Sequence, residues 1–177
     1  MADRRTDAES FETLAMPLLT PLYNFAHWLT HNREEAEDLV QETYLKALKG
    51  FESFQQGTNF RAWMYRILRN TFLTSRTGLR VKMTVPLDRE EDAIGRPADT
   101  PEAVLLARAD QQMVQSALER LPVQFREVIV LCDVEEMSYQ EIAEIVGIPM
   151  GTVMSRVSRA RKSMRELIAE ILRGASK

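Results

Sequence analysis

Apolar residues recur at intervals of three and four along nearly the whole chain, and glycines and prolines fall between the periodic runs. The first run is Phe11, Leu14, Leu18, Leu22, Phe25 and Leu29, which Pro17 and Pro21 divide into a short helix and a longer one. Asn32 is placed as the N-cap of REEAEDLVQETYLKALKGF, whose first turn is rich in glutamate, as the helix dipole favours, and Gly50 marks its end. Phe51–Asn59 is turn-like, and a third helix of a compact bundle follows. From about Leu79 to Thr100 the periodicity fails amid Pro86, Gly95, Pro97 and the acidic cluster DREED, as in a linker. Thr100, Pro101 and Glu102 then restart a helix with Thr as N-cap and Pro at its first position, and Val104, Leu105, Met113, Ala117, Leu118 and Leu121 carry it to Pro122. No strand-like alternation of any length occurs.

That pattern predicts an all-α chain of two small helical domains on a flexible linker, at residues 1–78, 79–109 and 110–177. Its 177 residues suit such a division, and 45% hydrophobic content argues against wholesale disorder. No apolar run approaches the ~20 residues that span a bilayer, so no membrane insertion and a cytoplasmic location are expected. Cys132 is alone, which excludes an intramolecular disulfide, and within VIVLC it reads as a small buried hydrophobe. His27 and His31 lie four apart, but no second cluster of Cys or His joins them, so neither a metal nor a cofactor is expected.

The net charge of −3 conceals a pattern. Thr58–Lys82 has six basic and no acidic residues, and Met150–Lys177 has seven basic and two acidic, whereas the three remaining segments are each net acidic by four or five. Within the first island, TNFRAWMYRILRN holds three arginines and three aromatics. Such a helix can pack its rings inward, with Phe60, Trp63, Ile67 and Met64 as a stripe, or present cations and π-faces to a nucleic-acid strand.

The second island coincides with a more specific constellation, SYQEIAEIVGIPMGTVMSRVSRARKSM. Ser138 and Glu141 form an S-x-x-E capping box, Ile142, Ala143, Ile145 and Val146 make a buried face, and Gly147 permits a left-handed stop. A second helix begins at Pro149, with Val153, Val157 and Ala160 on its core side and Thr152, Ser155, Arg156, Arg159 and Lys162 opposite. Small residue, glycine turn and polar outer stripe agree in register with a helix-turn-helix, whose outer side can enter a major groove.

The acidic helix REEAEDLVQETYLKAL places Glu34, Glu37 and Asp38 near its start and Gln41 and Glu42 a turn later, with Leu39 and Tyr44 at the same surface. It is either a solvated amphipathic face or a docking surface for a basic protein partner.

Taken together, Phe11–Leu79 and Leu118–Leu167 resemble the bacterial RNA polymerase sigma factors of the small extracytoplasmic-function (ECF) group. EAEDLVQET resembles the segment that grips the polymerase clamp coiled coil, and FRAWMYRILRN the segment that opens and reads the minus-ten element. LPVQFREVIVLCDVEEMSYQEIAEIVGIPMGTVMSRVSRAR is similar to the domain that reads the minus-thirty-five element. The resemblance implies polymerase contacts at Asp38, Leu39, Gln41 and Glu42. It implies minus-ten single-strand contacts at Thr58, Asn59, Arg66, Arg69 and Asn70, with Trp63 either strand wedge or core. For the minus-thirty-five duplex it points to Thr152, Ser155, Arg156, Arg159 and Lys162. It further implies an anti-sigma protein as regulator and no catalytic residues. The alternative to this reading is a conventional helix-turn-helix regulator with an N-terminal sensor or dimerisation domain. An enzyme acting on nucleic acid finds no metal-spaced carboxylates or phosphate loop.

Overall fold

The computed structural model describes residues 4–79 and 101–175, and among these every regular element is helical. The first bundle comprises α1 (Arg4–Ala15), α2 (Leu19–Thr30), α3 (Arg33–Gly50) and α4 (Phe60–Leu79). A 3-10 turn at Met16–Leu18 carries Pro17 between α1 and α2, while Pro21 is accommodated in the first turn of α2, where no intrahelical N–H is needed. His31 ends α2 in the left-handed region at φ 55, with its N–H on the His27 carbonyl. Asn32 caps α3 as expected, its Oδ1 accepting from the Glu35 N–H at 2.9 Å. α3 ends at Gly50 and passes into a second 3-10 turn, Phe51–Ser53.

Leu22, Phe25, Ala26, Leu29, Ala36, Val40, Met64, Tyr65 and Leu68 fill the middle of this bundle. Leu14, expected in the apolar stripe, is exposed. The stripe foreseen on α4 is also rotated. Phe60, Trp63 and Ile67 are half-buried, whereas Met64, Tyr65, Leu68 and Phe72 form the deepest face. The shift has a tertiary cause, because α4 packs on α3 and α2 on one side and on the C-terminal half on the other.

The second group comprises α5 (Pro101–Arg120), α6 (Val123–Ile129), α7 (Tyr139–Val146) and α8 (Met150–Ala175). α5 starts at Pro101, inside the stretch assigned by sequence to the linker, while the rest of that linker from residue 80 to 100 lies outside the described residues. α6 widens into a π turn at Val130–Val134, in which Cys132 is half-buried against the edge of the core. There the thiol lies 3.5 Å from the Arg161 guanidinium, so the burial expected of Cys132 is only partial. The capping box forms in full: Ser138 Oγ accepts from the Glu141 N–H, and Glu141 Oε2 accepts from the Ser138 N–H at 2.8 Å. Gly147 closes α7 at φ 73, a left-handed position suited to glycine.

The two halves meet. α4 packs along α7 and α2 packs on α6, with the Arg126 guanidinium donating to the Trp28 carbonyl across the junction.

Candidate nucleic-acid interface

α8 has the two-sided character its sequence demands. Val153, Val157 and Ala160 are fully buried against the preceding helices, and this one stripe fixes which residues point outward. Ser155, Arg159 and Lys162 are exposed, and Thr152 and Arg156 are partly exposed at the margins. The short turn at Gly147–Pro149 holds α8 beside α7, with Thr152 and Val153 N–H groups on the Pro149 carbonyl. The outer face therefore has the shape and donors needed to lie in a major groove.

The first basic helix differs. Asn59 caps α4 through Oδ1, which accepts from the Ala62 N–H at 3.0 Å, and its Nδ2 donates to Glu141 Oε1 at 2.6 Å. Thr58 Oγ1 donates to the Gln55 carbonyl, shaping the loop that enters the helix. Arg69 donates bidentately to Glu127 of α6, Nε to Oε2 at 2.7 Å and Nη2 to Oε1 at 3.1 Å. That pair is sequestered, with Arg69 14% and Glu127 3% exposed. Arg156 of α8 reaches the same carboxylate, its Nη1 lying 3.9 Å from Glu127 Oε1. Arg66 and Asn70 are exposed.

Trp63 packs inward here. Its ring lies 5.0 Å from Phe54 and 5.5 Å from Phe60, above Gly50, where an added Cβ would stand 3.7 Å from the indole. One flank of the ring also lines a cleft of about 340 Å³ with Thr58, Asn59, Arg66 and Glu144. A larger cleft of about 570 Å³ lies on the other side of the loop, between α1 and Phe51, Phe54 and Phe60.

Two residues that sequence reasoning did not single out belong to this region. Arg61 donates to the Glu135 carbonyl and to its Oε2, both at 2.9 Å, and lies 5.6 Å from the Tyr65 ring centroid. Tyr65 donates its hydroxyl to the same Glu135 oxygen at 2.6 Å, and burial with that bond pushes the phenol well above its ordinary range. Only the absence of acids in their own helix hinted that distant carboxylates would come to them.

On α3, Asp38, Gln41 and Glu42 are exposed along one face, and Glu42 pairs with Lys46 at 2.7 Å. Leu39 is not on that face. It is 6% exposed and holds α3 to the bundle, just behind that face. Tyr44 likewise turns aside, its hydroxyl donating to the Ala15 carbonyl at 2.6 Å, and burial raises its pKa to about 12. The described residues hold no cluster of three or more His, Cys, Asp or Glu suited to a metal ion. His27 stacks on Tyr23, and His31 is lowered to about 4, first by burial and then by the charge of Arg126.

Residues 14–80 match the Sigma-70 region 2 family and residues 111–164 match Sigma-70 region 4. The ECF RNA polymerase sigma factor EcfG of Rhodopseudomonas palustris is 38% identical over 146 residues, covering 81% of this chain and 77% of that protein. The chain belongs to the ECF RNA polymerase sigma factors. The ECF sigma factor SigE of Mycolicibacterium smegmatis is 35% identical over 163 residues, 91% of this chain, and the match spans 62% of that longer relative. Among solved structures, the sigma factor RpoE of Bartonella quintana, in complex with the anti-sigma factor NepR, superposes with a TM-score of 0.76 at 32% identity. That superposition covers 91% of this chain and 98% of RpoE. α2 to α4 thus lie within region 2, while α6, the π turn, α7 and most of α8 lie within region 4 of this sigma factor.

Proposed function

We propose that the chain is a dissociable promoter-specificity subunit, which binds core RNA polymerase and directs initiation without catalytic activity of its own. Asp38, Gln41 and Glu42, with Leu39 packed just beneath them, form the surface that docks on the clamp coiled coil. Thr58, Asn59, Trp63, Arg66, Arg69 and Asn70 engage the minus-ten single strand, and Thr152, Ser155, Arg156, Arg159 and Lys162 read the minus-thirty-five duplex. The observation that carries this reading is the outer face of α8, with Ser155, Arg159 and Lys162 exposed over a fully buried Val153, Val157 and Ala160.

Two weak DNA-reading modules on one chain gain by effective concentration once polymerase sets their spacing, so the free protein binds promoter duplex poorly. The work is done in the cytoplasm, and no helix among the described residues is long and apolar enough to cross a membrane. An anti-sigma protein covering the polymerase- and DNA-binding faces is the regulator that the likeness to the NepR-bound sigma factor supports. In vitro transcription with core polymerase on a promoter library tests this function. Start sites that depend on the added chain are expected, and their absence on every template would overturn it.

A further inference from the structure

Two large apolar side chains stand in solvent at the start of α8. Met150 is 52% and Met154 50% exposed, and at i and i+4 they lie one above the other on a single strip of the helix. That strip is separate from the core stripe of Val153, Val157 and Ala160, and it borders the outward-facing Ser155. The nearest cation along it, Arg161, is engaged by Asp133. The opposite flank of the outer face differs, because there Thr152 and Arg159 supply polar donors.

The leading turns of a helix in the major groove are the ones that meet base edges, and Met150 and Met154 occupy the first two turns of α8. No acidic residue stands in the first turn, so nothing there repels the phosphates. A thioether carries no donor for a phosphate or for the acceptors on a base. Base pairs present one apolar group in that groove, the C5-methyl of thymine. An unbranched, polarizable methionine can follow its shape.

We propose that Met154, with Met150 beside it, is a specificity-determining side chain that reads thymine through its methyl group in the minus-thirty-five duplex, on the flank opposite Arg159. The inference rests on the duplex-reading role of α8 given above. The outer face then works by two chemistries. Donors on one flank select base acceptors, while the methionine strip selects an A·T pair in the orientation that turns the methyl towards it. Cytosine in that place has no methyl, and the amino group it presents would lose its water without gaining a hydrogen bond.

The test uses the full chain with core polymerase, at subsaturating concentration, on the most active promoter of the library described above. Synthetic templates replace each thymine of the minus-thirty-five element, one at a time, with deoxyuridine, which removes the methyl and keeps the base pair. Initiation is compared for wild type, Met150→Ala and Met154→Ala, whose exposed positions should leave the circular dichroism melt unchanged. At one thymine, loss of the methyl should lower wild-type initiation roughly two- to fivefold, and the same replacement should cost Met154→Ala nothing. Wild-type initiation indifferent to every deoxyuridine overturns the proposal, as does a penalty that survives undiminished in both methionine variants. A Met154→Ala defect of one size on methylated and methyl-free templates would place the side chain against protein instead of DNA, and also overturns it. Failure of the duplex-reading role is separately visible, as initiation indifferent to scrambling the whole element, and it would remove the ground of both readings.

Discussion

α4 and α8 are the helices in which basic residues gather, yet they meet solvent differently. On α8 the apolar stripe lies on one side and Arg159 and Lys162 face outward on the other, while Arg161 pairs with Asp133 and Arg156 lies 3.9 Å from the buried Glu127. On α4, Arg61 and Arg69 are bound by carboxylates 74 and 58 residues away in sequence. A basic island therefore marks a potential phosphate surface, and its availability depends on tertiary partners that no local window contains. The acids that counter α4 come from the net acidic segment before α8, so the alternation of charge along the chain is also an intramolecular complementarity.

The largest effect is expected of Val157→Asp, which buries an unpaired carboxylate in the fully enclosed core of region 4. A loss of about 3–5 kcal/mol is expected. Thermal circular dichroism would show the C-terminal half melting first, and single-strand binding by α4 should rise as its cover is lost. Arg69→Ala is next, at about 2–3 kcal/mol of stability, because Glu127 stays buried with a single distant cation. Arg159→Ala should leave the melting temperature unchanged and weaken minus-thirty-five duplex recognition by about 1–3 kcal/mol, read from transcription on a matched promoter. Equal thermal effects from these two arginine variants would erase the distinction between the helices.

Ser138→Ala removes one half of the capping box and should cost about 1 kcal/mol, seen as a lowered melting temperature. The smallest effect concerns acid. His31 has a buried Nε2 with no partner and is held down to about 4, so the unfolded chain takes up its proton first. Stability is therefore lost as pH falls from about 6.5 towards 4. His31→Asn, which tolerates the left-handed backbone and does not titrate, should flatten that part of the acid-unfolding curve.

The local features of this fold were legible because their causes are local. The Asn32 cap, the Ser138–Glu141 box, the Gly147 stop and the Val153–Val157–Ala160 stripe each depend on residues within one or two turns. What lay beyond those windows was set by tertiary packing. Leu39 is buried just inside the boundary of an acidic face, Cys132 is only half-buried in a π turn, and Tyr65 and Leu68 lie deeper than Phe60, Trp63 and Ile67 because α4 has a second packing partner. Glu127 gave no sign in sequence, being one acid among many until the fold set it between Arg69 and Arg156.

Phenylglyoxal modification of the free wild-type chain, followed by mass spectrometry of arginine-containing peptides, tests the contrast between the two helices most directly. Arg66 and Arg159 should react readily, while Arg69, chelated by Glu127, should be protected. Arg69 reacting as fast as Arg66 in the free chain would contradict the account.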